Sequence, residues 1–298
     1  MNDQAAALRR MVQNIKKQRA RPPGEGARIV CVTSGKGGVG KTNFAVNLAI
    51  SLSKKGARVL IVDADFGLAN VDVVMGVTPT YDLSHVLRRE VSVRDAIFEG
   101  AGGVKILSGG SGVLELLNLT EVQLSNMVHE LLLLDDMADI ILFDTGAGVN
   151  RNVLRLIAAS REIIVVTTPE PTAIMDAYAL IKTIHGSAGE AQIRLVVNRA
   201  DNESEACATA EKFTAVVRLY LDVAISDLGY ILSDPTVTRA VRLQRPFVLS
   251  FPRSGAARCM EALSWRFLNV EPGNPKGLRA FFKNLLEKPA PSFPGGDF

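Results

Sequence analysis

The sequence predicts an α/β fold in which a doubly wound, mainly parallel sheet carries helices on both faces, and three observations predict it. Seven runs of strand length, RIVCVTS, RVLIVDAD, VKILSG, DIILFDTG, EIIVVTTP, QIRLVVNR and VAISDLGYI, alternate with longer stretches of helical period. These runs are mostly apolar throughout rather than alternating, as strands are when helices cover both sides of a sheet. Their polar residues gather at the carboxyl ends, at 35–42, 63–65, 144–148 and Asn198, and an open parallel sheet binds its ligand beyond that edge.

Composition sets the frame. The 298 residues are 47% hydrophobic and 22% charged, which suffices for one large core, or two at most. Cys31, Cys207 and Cys259 stand far apart with no CxxC pair, and His85, His129 and His185 are isolated from them, so no thiol or imidazole cage for a metal is spelled out. No secretory leader is read at the start, and no apolar run nears the roughly 18 residues that a bilayer requires. The expectation is a cytoplasmic protein with reduced thiols.

In chain order, residues 1–27 read as a basic arm, in which Arg9, Arg10, Lys16, Lys17, Arg19 and Arg21 are set against only Asp3 and Glu25. The prolines and glycines of RPPGEGAR make the joint to a folded body over 28–271. RIVCVTS is the first strand, followed by SGKGGVGKTN at 34–43 and then by the helical TNFAVNLAISLSKKG. Strand, GxxxxGK[ST] and helix in that order are the context of a phosphate loop. Gly35, Gly37, Gly38 and Gly40, with Val39 between them, let backbone N–H groups turn toward an anion at the helix N-terminus, and Asn43 is counted with the loop among the nucleotide contacts. Lys41 would reach the β and γ phosphates, and the Thr42 hydroxyl would ligate Mg²⁺. A glycine-rich turn without a ligand is the competing reading, and the full match at a strand-to-helix junction outweighs it.

Lys36 is one lysine more than a simple phosphate loop needs. With it, residues 36–42 spell KGGVGKT, and the sequence resembles the deviant Walker A ATPases of the MinD and ParA class. The resemblance implies that ATP is the cofactor and that Lys36 crosses the interface of an ATP-bound homodimer to touch phosphates held by the other subunit. A second cation supplied in trans lets nucleotide and dimer stabilise each other. VDADFGLANVD resembles the switch I of that class, so Asp63 would hold a water of the Mg²⁺ shell and Asp65 would orient the attacking water. In ADIILFDTGAGV, Asp144 takes the Walker B place, again on Mg²⁺ through water, with Gly146 and Gly148 in switch II. VVNRAD puts Asn198 and Arg199 where the class contacts adenine, although Leu232 stands where relatives carry proline. There is no NKxD motif, which favours ATP over GTP. Iron–sulfur carriers of the same superfamily need cysteines near the switches, and none is placed there.

Both ends of the chain narrow the reading. Asp3, Gln4, Ala5, Leu8 and Arg9 match DQAxxLR, the N-terminal motif of the FlhG family, also called FleN or YlxH, which governs flagellar number and placement. That resemblance implies docking on an FlhF-like GTPase of the signal-recognition type, with Gln4 helping to place a water and Ala5 and Leu8 on the docking face. Flagellar C-ring proteins and a FleQ-like transcription activator are further implied partners. At the other end, 272–298 reads as linker, helix and tail. Leu278, Phe281, Phe282, Leu285 and Leu286 share one side of a helical pattern, with Lys276, Arg279, Lys283 and Lys288 on the other, the make-up of an interfacial amphipathic helix. A terminal helix packed on the body is the alternative, and the two can hold in turn. The resulting expectation is a cytoplasmic ATPase that dimerises with ATP, lies peripherally on the membrane and binds no nucleic acid directly. The competing function is a ParA- or MinD-type positioning ATPase acting on DNA or on division proteins.

Overall fold

The computed structural model describes residues 26–65, 70–112, 115, 130–185, 191–270 and 277–287, with the side chains of the last helix described as far as Leu285. Asp3, Gln4, Ala5, Leu8 and Arg9 lie outside the described residues. All seven apolar runs are strands of one eight-stranded sheet: β1 (Arg28–Thr33), β2 (Val59–Ala64), β4 (Lys105–Leu107), β5 (Ile140–Thr145), β6 (Glu162–Thr167), β7 (Gln192–Ala200) and β8 (Ile225–Leu232). The order across the sheet is β3-β4-β2-β5-β1-β6-β7-β8, and these seven run parallel. The remaining strand, β3 (Ile97–Glu99), pairs antiparallel with β4 at the edge. It is not legible in the sequence because three residues carry no period.

The α-helices with defined bounds among the described residues are α1 (Lys41–Lys54), α2 (Val71–Met75), α3 (Leu83–Leu87), α4 (Val93–Ala96), α5 (Arg151–Ala159), α6 (Pro171–Ile184), α7 (Glu203–Leu221), α8 (Pro235–Arg242), α9 (Phe247–Ser250), α10 (Gly255–Asn269) and α11 (Gly277–Glu287), and residues 130–137 are helical as well. Alternate strand residues feed opposite faces. Val30, Leu142, Ile164 and Val196 pack under α1, α9 and α10. Ile29, Ile141 and Phe143 pack on the other side with Leu131, Leu134, Leu156 and α11, and Ile163, Val165 and Leu195 lie beneath α5, α6 and α7. Among the described residues, no helix is long and apolar enough to cross a membrane.

The last helix takes the docked one of the two arrangements expected for it. A lipid-facing role for Leu278, Phe281, Phe282 and Leu285 needs their side exposed, yet all four are buried. Phe281 stacks on Phe143 of β5 with centroids 4.8 Å apart, and Asn284 donates to the Ala159 carbonyl at the end of α5. The sheet face over Ile29 and Phe143 would otherwise lie open beside α5, and each large apolar side chain placed there contributes roughly 1.5–3 kcal/mol. Arg279 and Lys283 remain at the surface, and the Leu286 side chain lies outside the described residues. In this conformation the helix is docked.

At the amino edge of the strands, opposite the expected ligand edge, three charges are buried together. Glu162 of β6 accepts from Arg28 Nε at 2.8 Å and Nη2 at 2.7 Å and from Arg194 Nη1 of β7. Arg194 also donates to Gln192 at 2.6 Å, and Arg28 to the Phe267 carbonyl at 3.0 Å. The Arg28 guanidinium lies 3.9 Å above the Phe267 ring, which ties α10 to the cluster. Replacing Glu162 by alanine strands two buried guanidinium groups, and breaking one side of such a network costs about 3–5 kcal/mol. Glu162→Ala is therefore expected to lower the melting temperature by roughly 10 °C; a change under about 2 °C in a thermal melt would show that the cluster contributes little.

Candidate nucleotide site

The loop between β1 and α1 takes its shape from two close approaches. At Gly35 a Cβ would fall 2.2 Å from the backbone of Asp176 in α6, so only glycine lets the chain pass that helix. Gly40 precedes α1 with φ 92°, in the left-handed region, and a Cβ there would lie 2.4 Å from Asn198 Nδ2. Gly37 and Gly38 are exposed and Val39 is buried. Asn198, at the end of β7, donates from Nδ2 to the Val39 carbonyl at 2.7 Å and accepts the Arg199 N–H on Oδ1 at 3.0 Å. Its carboxamide thus braces the loop. Ser34 Oγ donates to the Lys36 carbonyl at 2.9 Å, and Gly148 N–H reaches the Ser34 carbonyl at 2.9 Å, which couples the segment after β5 to the start of the loop.

Lys41 and Asp144 form the charged centre. Lys41 is 7% exposed and Asp144 is fully buried, with Nζ 3.1 Å from Oδ1. Burial pushes the Asp144 carboxyl up, and the Lys41 ammonium opposes that shift, as does the Thr42 hydroxyl on the same carboxylate. Among the described residues Asp144 Oδ2 is buried with no hydrogen-bond partner, an acceptor suited to a cation or its water. Asp63 sits directly across from Asp144 in the β2–β5 register. It accepts the N–H groups of Asp65 at 3.1 Å, Asn70 at 2.9 Å and Val71 at 3.0 Å. Burial first, and then the nearby Asp144 charge, push its carboxyl up to about 6 against those N–H groups. Asp65 accepts from Asn70 Nδ2 at 3.3 Å and lies against Gly146, where a Cβ would come within 3.2 Å of its Oδ1. Residues 66–69, the rest of that switch stretch, lie outside the described residues.

This donor set fits a magnesium-bound nucleotide. Among the described residues, no three His, Cys, Asp or Glu side chains form a metal cage. Mg²⁺ instead suits one or two carboxylates, a hydroxyl and substrate phosphates with retained waters, and Thr42, Asp63 and Asp144, the last with its orphaned Oδ2, are groups of that kind. Cys31, under the loop, is buried and its thiol is pushed up to about 12, mainly by burial, so it is no nucleophile.

The structure brings together Gly35 and Gly37–Asn43 of the loop, Asp63, Asp65, Asp144 and Asn198. It sets Lys36 apart. The Lys36 side chain is 39% exposed and points to the start of α6, with Nζ 2.8 Å from Thr172 Oγ1 and 3.3 Å from Glu170 Oε2. Arg199 is exposed, with φ 58°. Leu232 ends β8 opposite Ala200. Sequence reasoning missed three participants: Glu170 and Thr172, which flank Pro171 at the first turn of α6, and Asn70, which joins Asp63 to Asp65. The order Glu170-Pro171-Thr172 at a strand-to-helix junction marks a helix start, but nothing in it names a lysine partner 134 residues away.

A family model described as AAA domain matches residues 27–196. The antiactivator FleN of Pseudomonas aeruginosa is 38% identical over 269 residues, covering 88% of this chain and 95% of that protein. The flagellum site-determining protein YlxH of Helicobacter pylori is 34% identical over 296 residues, 96% of this chain and 99% of that one. Among solved structures, the septum site-determining protein MinD complexed with Mg-ADP from Pyrococcus horikoshii superposes with a TM-score of 0.63 at 26% identity, over 82% of this chain and 96% of that chain. A complete phosphate loop with two lysines, on a parallel sheet of this order, in a chain this similar to FleN and YlxH, belongs to the FlhG family of MinD/ParA-class P-loop ATPases.

Proposed function

We propose that this ATPase is a dimerising switch that binds Mg-ATP, regulates flagellar number or placement, and stimulates an FlhF-like GTPase through its N-terminal arm. One observation carries the dimer: the two lysines of a single loop serve different places. Lys41 is buried against Asp144, within its own site, whereas Lys36 lies at the rim on Glu170 and Thr172. An exposed ion pair such as Lys36–Glu170 is worth about 0–1 kcal/mol, so a triphosphate presented by a second copy would outcompete Glu170. Nucleotide would in this way hold two subunits together.

Within one subunit the residues divide the work. The loop N–H groups and Lys41 bind the phosphates, and Thr42, Asp63 and Asp144 hold the magnesium, which would neutralise charge on the phosphates. Asp65 positions the attacking water, for which a carboxylate beside switch II is suited. Asn198, already joined to Val39, would let the adenine edge and the phosphate loop be sensed by one side chain, with Arg199 beside it. The flagellar output is favoured by the names of the relatives, antiactivator FleN and flagellum site-determining protein YlxH, together with DQAxxLR at Asp3, Gln4, Ala5, Leu8 and Arg9. C-ring proteins or a FleQ-like activator would be further partners. Undocked, α11 would present Leu278, Phe281, Phe282, Leu285 and Leu286 to a membrane from the cytoplasmic side, and two copies in a dimer would add avidity. Septum site-determining MinD proteins are also similar to this chain, which keeps a positioning ATPase acting on DNA or division proteins as the second reading.

Lys36→Ala is expected to keep ATP affinity within about threefold while abolishing the dimer formed with magnesium and a non-hydrolysable analogue, as read by light scattering; an unchanged dimer would sink the trans role. Asp65→Ala should retain the ATP-bound dimer and lose about 100-fold or more in phosphate release, and undiminished turnover would refute its placement of water. A peptide of residues 1–21 should raise GTP turnover by an FlhF-like GTPase. No stimulation by that peptide, with DNA binding by the whole protein, would move the assignment to the second reading.

A further inference from the structure

The start of the folded body and the start of its last helix meet at one carboxylate. Asp135 lies in the helical stretch 130–137. It accepts the Ala27 N–H on Oδ1 at 2.9 Å and the Leu278 N–H at 3.0 Å on each oxygen. Ala27 is the residue before β1, where the arm joins the body, and Leu278 stands in the first turn of α11. The two backbones also touch. A Cβ on Gly26 would lie 2.2 Å from Gly277 Cα, and one on Gly277 would lie 2.6 Å from both Gly26 Cα and Asp135 Oδ2. Gly277 has φ 65° as well, so a side chain at either glycine forces the segments apart.

Each part has a physical reason. The first N–H groups of a helix have no partner inside it, and a carboxylate there also complements the helix dipole. Here that carboxylate comes from outside α11, and it also accepts a hydrogen bond from the root of the arm. An 11-residue helix is marginal on its own, so α11 depends on its seat and on the tie at its first turn. Leu278, Phe281, Phe282 and Leu285 of its apolar side lie within the core while Arg279 and Lys283 face out.

We propose that Asp135, Gly26 and Gly277 form a clasp that couples the N-terminal arm to the docking of α11: displacement of residues 26–27 favours release of the helix, and release of the helix loosens the root of the arm. The coupling is reciprocal, as any coupling between two equilibria must be. Its use rests on the reading above, in which the arm captures a protein partner and the apolar side of α11 captures lipid. Partner capture at one end of the chain then sets membrane residence at the other.

Hydrogen exchange on the full-length protein without nucleotide tests the clasp apart from its use. Gly26→Ala changes only the N-terminal side, yet the amides of 278–285 are expected to exchange at least about tenfold faster, with those of β1 and the phosphate loop unchanged. Asp135→Asn keeps the shape of the side chain while weakening it as an acceptor, and is expected to speed exchange at Ala27 and at 278–285 together. It decides the matter if Gly26→Ala does not fold. Co-sedimentation with phosphatidylglycerol vesicles then reads the use: several-fold more binding by the variants supports capture of lipid. Faster exchange in α11 without added vesicle binding leaves the clasp standing and removes the lipid reading. Exchange that rises only at 26–28, with α11 as protected as in the wild type, overturns the clasp.

Discussion

A buried ammonium group needs a counter-charge, and the carboxyl edge of this sheet is arranged around that need. Taking either Lys41 or Asp144 out of water alone costs several kcal/mol, so each is tolerable only with the other or with a ligand in its place. Asp144 is fixed by the register of β5 between β1 and β2, and Lys41 by the first turn of α1. Asn198 holds the intervening loop from β7, and Gly148 holds it from the segment after β5. Phosphate oxygens entering the loop would offer the ammonium a second anion, and the carboxylate would then be the group whose partner changes. Such an exchange would be the simplest way for a nucleotide to be felt in the segment that follows β5.

The two ends of the strands contrast in their electrostatics. At the amino edge, Glu162 holds two buried guanidinium groups within a ring of further hydrogen bonds, and β1, β6, β7 and α10 are locked to one another there. At the carboxyl edge the outermost pair, Lys36 and Glu170, is exposed and weakly held. Rigidity at one edge gives the residues at the other a fixed frame from which a few side chains can change partners at low cost. The division matches the general placement of ligands beyond the carboxyl ends of parallel strands.

What the sequence made legible follows from range. Strands buried on both faces announce themselves as apolar runs, and the phosphate loop is a local motif, so the sheet, the loop and the aspartates Asp63, Asp65 and Asp144 could be placed before any coordinates. The three-residue β3 has no period to read. The apolar side of α11 was visible as a pattern, but a helical pattern does not state whether lipid or the sheet lies opposite, and Phe143 stands 138 positions before its stacking partner Phe281. Glu170 and Thr172 beside Lys36, Asn198 on the Val39 carbonyl, and Asp135 between Ala27 and Leu278 are likewise contacts of long sequence separation, invisible to spacing. Asn198 is instructive: its type and place were readable, while the hydrogen bond that commits it to the loop was not.

The seat of α11 has an implication of its own. Ile29, Phe143 and Phe281 share one core, so a molecule that lifts this helix uncovers a strip of sheet as greasy as the helix itself. Departure would therefore create two adhesive surfaces rather than one, and the vacated trough would be cut to the size of a short amphipathic helix. Whatever holds the departed segment away must also keep that trough from recapturing it or from welcoming a stranger.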